Sequence, residues 1–212
     1  MTLVELYKAG GPMMHALLVC SVIGLAIIIV KYFTLTVAGV KSKKLLTEIN
    51  QLLNEHKFQE AHELCETSKG PVAAILSAGL RKINEGSDRV IRAIEHTGTI
   101  ELSFLERGLV ALATIATIAP LMGFLGTVAG MIQAFGAIEA YGEVEATLVA
   151  GGIKVALITT ATGLIIAIPI SAAHSYFVTK VDRIILDMEE TSENMVDMIY
   201  QMEQSGGSRK ST

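Results

Sequence analysis

Residues 108–138 read GLVALATIATIAPLMGFLGTVAGMIQAFGAI, without one Asp, Glu, Lys or Arg. As a helix rising about 1.5 Å per residue, this window is about 46 Å long. That exceeds the roughly 30 Å of a bilayer's hydrocarbon core, so the helix is expected to tilt or to project at its ends. Two other windows are equally free of charge, 9–30 and 155–179. Each is long enough to cross a membrane. The fold class this predicts is an all-α integral membrane protein with transmembrane helices at 13–35, 108–136 and 152–178. The first window does not read as a cleavable signal. Only Lys8 precedes it, and Ile27–Phe33 offers no small-residue cleavage site.

Basic residues set the expected orientation. Segment 31–107 carries eleven of the seventeen Lys and Arg, whereas 136–150 carries none. The reading is a periplasmic N-terminus at 1–12, a cytoplasmic helical domain at 36–107 and a periplasmic loop at 137–151. A cytoplasmic amphipathic helix with a flexible tail follows at 179–212. Cys20 falls inside the first span and Cys65 on the cytoplasmic side, so no disulfide is expected between them.

The cytoplasmic segment is expected to form short helices. One is capped by Ser42 and runs to about His56, with Leu45, Ile49, Leu52 and Leu53 at helical spacing. A second covers about 57–67 and turns Phe58, Ala61 and Leu64 inward. After the break at Ser68–Pro71 a third runs from Val72 to about Ile83. From Ser87, the residues Val90, Ile94, Leu102 and Leu105 predict a helix continuous with span two. Beyond span three, Ile185, Met188, Met195, Ile199 and Met202 share one face of an amphipathic helix. That stripe is buried either on another subunit or on the chain's own 42–105 helices.

Each of the later spans carries a stripe of small residues. At 100° per residue, Ala116, Ala119, Gly123, Gly126, Thr127, Gly130 and Ala134 fall within about 100° of arc. In span three Ala156, Thr159, Thr160, Gly163, Ala167, Ser171 and His174 fall within about 120°. The opposite face, Leu157, Ile158, Leu164, Ile165 and Ile168, suits membrane lipid or apolar packing. Such stripes let helix backbones approach closely, and two of them also fit a surface that cradles another helix.

The inventory at membrane depth is as telling as the pattern. These spans hold no acid or base at their centres; Lys154 lies at the outer end of span three and can snorkel. His174 is about 21 Å along the helix from Thr160. Ion relays through a membrane use titratable side chains, and threonine does not titrate. Either the chain moves no protons, or a partner inserts a carboxylate. Nothing points to an enzyme. His62 and Cys65, with His56 near, make a nonspecific metal spacing; there is no phosphate-cradling loop, no cofactor motif and no basic aromatic patch for nucleic acid. Pro120 and Pro169 are expected to kink their spans.

The stretches Leu112–Met131, with Ala-Pro followed by Gly-x-x-Gly-Thr-Val, and Gly151–Leu164, with Ala-Leu-x-x-Thr-x-x-Gly-Leu, resemble the MotA/TolQ/ExbB proton-channel family. The three-span layout is similar to its ExbB and TolQ members. The resemblance implies a homo-oligomeric ring, five subunits in the bacterial inner membrane, around single-span ExbD/TolR-like helices. It implies that the partner's aspartate approaches Thr127 and Thr160, with Thr159 beside them on the ion pathway. The remaining small residues, Ala116, Ala119, Gly123, Gly126, Gly130, Ala134, Ala156, Gly163, Ala167 and Ser171, would face the pore or the partner helix. The ion would be H⁺, with Na⁺ as the other choice, and the energised partner a TonB- or TolA-like protein. One departure is plain: Lys154–Val155 stands where many relatives carry a small residue and a glutamate. The alternative to a motor subunit is a structural membrane scaffold whose stripes only pack helices.

Overall fold

Backbone N–H and C=O groups have no water to bond in hydrocarbon, and an α-helix satisfies them within one segment. In the computed structural model, which describes residues 3–55, 57–141 and 146–208, every long element is an α-helix. The order is α1 (Leu3–Ala9), α2 (Met13–Asn54), α3 (Phe58–Thr67), α4 (Pro71–Leu80), a 3-10 turn at Ile83–Glu85, α5 (Ser87–Glu106), α6 (Leu109–Tyr141) and α7 (Ala146–Ser208). Three stretches are long and apolar enough to cross a membrane, within Met13–Thr36, Ser87–Ala140 and Val149–Gln201.

Two boundaries differ from the sequence expectation. α2 runs 42 residues, on past its apolar stretch Met13–Thr36, and Ser42 lies inside it rather than capping a new helix. Between Val30 and Leu53 the only breaker is Gly39, and one glycine costs a helix only about 1 kcal/mol. The expected continuity of α5 with span two is interrupted instead. Arg107 leaves helical geometry at ψ 124, and Gly108 takes φ +86, a region glycine enters without a Cβ clash. α6 then restarts, with the Leu112 N–H bonding the Gly108 carbonyl at 3.1 Å. By contrast, span three and the amphipathic segment are one 63-residue helix.

The chain divides into two compact units, 1–31 with 108–176 and 32–107 with 177–212. In the first, Met14 and Leu17 of α2 pack on Ala119 of α6 and Ala167 of α7, edged by Tyr7, Met122, Ile158 and Ile166. Val22, Leu25, Phe124, Ile132, Leu157, Ile165 and Ile168 are each more than half exposed. In water that surface costs roughly 25 cal/mol per Å²; lipid removes the cost. Ile158, on the face suited to lipid or to apolar packing, is half-buried against this cluster.

The second unit is built like a water-soluble bundle. α4 is apolar all round and buries Val72, Ala73, Ile75, Leu76 and Leu80, as a central helix must. Leu45 and Ile49 of α2, Val90, Ile94 and Leu105 of α5, and Ala61 of α3 are buried with it. On α3 Cys65 is buried with Ala61, while Phe58 and Leu64 are half-buried. The α7 stripe settles on its own chain: a Cβ placed on Gly79 would meet Met195 Cε at 2.7 Å and Ile94 Cγ1 at 3.1 Å. Met188, Met195 and Ile199 are buried there, and Ile185 half so. The side chains of Leu53 and Met202, and all of His56, lie outside the described residues.

Candidate functional site

The two small-residue stripes meet. A Cβ on Gly123 would stand 2.9 Å from the Thr159 carbonyl oxygen and 3.1 Å from Thr160 Cα. One on Gly163 would stand 2.6 Å from the Ala119 oxygen, and one on Gly130 2.7 Å from the Gly152 oxygen. A Cβ on Gly126 would run into the Thr159 side chain. The order of these contacts, 119 with 163, 123 with 159, 130 with 152, makes α6 and α7 antiparallel neighbours along a seam of backbone contact. Van der Waals packing is the main attraction between helices in lipid, and only small residues allow this approach.

The seam has two unlike sides. Measured from Gly123 on α6 and Ala156 on α7, Ala119, Gly126, Thr159 and Ile170 lie about 40–60° to one side. That is the side α2 covers: Met14 and Leu17 pack on Ala119, and a Cβ on Gly24 would meet Ile170 Cδ1 at 2.5 Å. Ala116, Thr127, Thr160 and Ser171 lie about 20–60° the other way. Because the helices are antiparallel, the same angular sense on each points to the same side of the seam. Among the described residues, no element of the first unit covers it: Ala116, Thr127 and Thr160 are half-buried and Ser171 is exposed.

The expected site residues therefore separate. Ala119, Gly123, Gly126, Gly130, Ala134, Ala156, Gly163 and Ala167 are buried and pack in the seam or under α2 rather than facing outward. Thr159 differs from Thr160 in its surroundings. It is fully buried on the covered side, and its hydroxyl donates to the Val155 and Ala156 carbonyls at 3.1 and 2.9 Å. Thr127, Thr160, Ala116 and Ser171 form the open edge. Gly152, which packs on Gly130 and Ala134, escaped the sequence reading; carrying the same stripe one helical step back from Ala156 finds it.

On the open edge the hydroxyl protons are already committed. Thr127 donates to the Phe124 carbonyl at 2.6 Å; Thr160 donates between the Gly123 and Ala156 carbonyls, at 3.3 and 3.2 Å. Each oxygen keeps a lone pair. Thr127 and Thr160 are separated along the seam by about one helical turn, roughly 5 Å. Pro120, inside α6, has no N–H to give the Ala116 carbonyl, adding an acceptor to this edge. Acceptors facing an uncharged medium suit a donor such as a protonated carboxyl. Thr162 bonds back to the Ile158 carbonyl at 2.8 Å and contributes nothing further.

Residues 67–190 match the model of the MotA/TolQ/ExbB proton channel family, a stretch that contains the whole seam. The chain is 29% identical over 182 residues to a biopolymer transport protein ExbB homolog of Methanothermobacter thermautotrophicus, covering 85% of this chain and 64% of that protein. It is 38% identical over 116 residues to the biopolymer transport protein ExbB of Xanthomonas campestris, 55% of this chain and 43% of that one. With the Tol-Pal system protein TolQ of Haemophilus influenzae it shares 31% over 140 residues, 66% and 55% of the two chains. The chain thus spans less than two thirds of the length of these relatives.

Proposed function

Starting from the fact that the chain belongs to the MotA/TolQ/ExbB proton channel family, we propose that it is the channel-forming stator subunit of an ion-driven motor in the bacterial inner membrane. The observation that carries this reading is the open edge of the α6–α7 seam. It presents acceptor oxygens at membrane depth and no titratable group of its own. An ExbD/TolR-like single-span subunit supplies the missing aspartate. While protonated, its carboxyl donates to Thr160 or Thr127 and crosses the apolar region as a neutral group. Once ionised, it finds no donor on this edge and must move toward water. Alternation between these states couples ion passage to movement of the partner helix within a ring of five copies.

Each H⁺ crossing provides about 2.3 kcal/mol per 100 mV, so a few ions suffice to move a TonB- or TolA-like protein. Na⁺ would require ligation by the same oxygens. The basic 36–107 segment and the C-terminus lie on the cytoplasmic side, with α7 extending there beyond its apolar stretch.

The test pairs function with assembly. Thr160→Val and Thr127→Val keep the side-chain shape but remove the acceptors; they are expected to abolish ion-dependent activity while the complex still co-purifies with a single-span protein bearing an intramembrane Asp. Full activity in both variants would sink the site assignment. The scaffold reading draws support from the seam's closure within one chain, and intact activity in the variants together with absence of the Asp-bearing partner would favour it.

A further inference from the structure

The second unit holds a cleft of about 570 Å³ whose lining includes Thr34 of α2, Ser68–Lys69–Gly70 before α4, Ala74 of α4, and Glu101 and Phe104 of α5. Its volume is that of a small-molecule site, roughly 300–1,000 Å³. Three observations bear on its occupant. First, the cleft reaches the membrane boundary: Thr34 is in the apolar stretch Met13–Thr36, and Phe104 stands one turn before the chain re-enters apolar sequence at Leu109. Second, that boundary carries exposed rings. Tyr32, Phe33 and Phe104 are 52%, 66% and 59% exposed, and the Arg107 guanidinium lies 5.7 Å over the Phe104 ring. Aromatic and basic residues collect where lipid headgroups meet the hydrocarbon. Third, the lining is of both signs, Lys69 with Glu66 and Glu101, and of the two carboxylates Glu66 faces His62 at 3.8 Å. Lys69 stands on the open loop, where nothing lies within 4 Å of a Cβ placed on Gly70. On another wall Glu101 is half-buried and forms no ion pair among the described residues.

We infer that this cleft seats the headgroup of a membrane phospholipid bearing both a phosphate and a primary ammonium, of the phosphatidylethanolamine kind. A purely anionic headgroup would meet the Glu101 carboxylate, and a purely cationic ligand would meet Lys69. A zwitterion satisfies both, while its acyl chains run past Phe104 into the bilayer. The inference rests on the membrane reading of α2 and α6 and not on the motor.

The full chain is reconstituted in nanodiscs holding equal amounts of phosphatidylethanolamine and phosphatidylglycerol, and the lipids retained after release into mild detergent are counted by native mass spectrometry. Phosphatidylethanolamine is expected to be retained in preference. Glu101→Gln, which keeps the side-chain volume, and Ala74→Phe, which fills the cleft, are each expected to cut retention about tenfold, the size of one charge-assisted contact, with the helical circular dichroism unchanged. Equal retention of the two lipids overturns the proposal, as does unchanged retention in Glu101→Gln. Neither result touches ion-dependent activity, so failure here is distinguishable from failure of the stator reading.

Discussion

α7 is one helix that packs by two different chemistries. Through the first unit its buried stripe is Gly152, Ala156, Thr159, Gly163, Ala167 and Ile170; through the second it is Phe177, Val181, Ile184, Met188, Thr191, Met195 and Ile199. The repeat is the same three-and-four spacing, and apart from Ile170 and Thr191 the residues go from small to large. In lipid a large apolar side chain gains nothing by leaving hydrocarbon for a neighbouring helix, so close backbone approach is what remains. In water the removal of apolar area is the main driving force, and large side chains supply more of it. The change of size along α7 is a chemical record of which medium surrounds each part.

The largest expected effect comes from putting bulk into the seam. Gly123→Leu brings a side chain against the backbone at Thr159 and Thr160, which no rotamer change relieves. The cost should exceed the roughly 3 kcal/mol typical of overpacking, and folded chain should disappear from detergent extracts. Normal yield and melting of this variant would break the contrast drawn above. Met195→Ala makes the opposite error in the second unit, leaving a cavity beside Gly79 and Ile94. A loss of about 2–5 kcal/mol is expected, read as a lowered melting temperature with the seam intact.

A smaller effect follows from Cys65, 2% exposed, where burial pushes the thiol up to about 12. Its thiolate should be negligible at pH 8, so a maleimide label should enter only on unfolding. Because the folded pKa is the higher one, this contribution to stability is full below the unfolded value near 9 and declines as pH rises toward 12. Rapid labelling of Cys65 in the folded chain at pH 8, read in a Cys20→Ala background, would contradict that burial. Least affected should be Gly136→Ala. Nothing lies within 4 Å of its added methyl, and alanine's higher helix propensity favours it by up to about 1 kcal/mol. Marked destabilisation there would show that the small residues of α6 matter for more than the seam.

Much of this was readable beforehand where a local signal is strong. Three long apolar stretches followed from missing charges, because hydrocarbon tolerates so few. The break before Pro71 followed from proline's missing N–H, and the stripes from helical periodicity. Boundaries failed where the signal was weak: Ser42 reads as a cap only if something ends the helix before it, and nothing does. The Arg107–Gly108 break was hidden because glycine is as common inside apolar helices as between them. For the site, a wheel placed Thr159 and Thr160 on one face but could not show that α2 covers one edge of it and leaves the other open.

The sequence by itself determined the medium and the chemistry available: where the chain meets lipid, that hydroxyls stand there without a titratable partner, and which helices can touch closely. These depend on composition and on a fixed rotation per residue, both local properties. The tertiary structure alone decided how the small residues are divided. Gly123, Gly126 and Gly163 hold α6 against α7, Thr159 faces the side under α2, and Thr127 and Thr160 remain on the open edge. That division depends on which side of an antiparallel pair a third helix occupies, a choice made by contacts among residues more than a hundred positions apart.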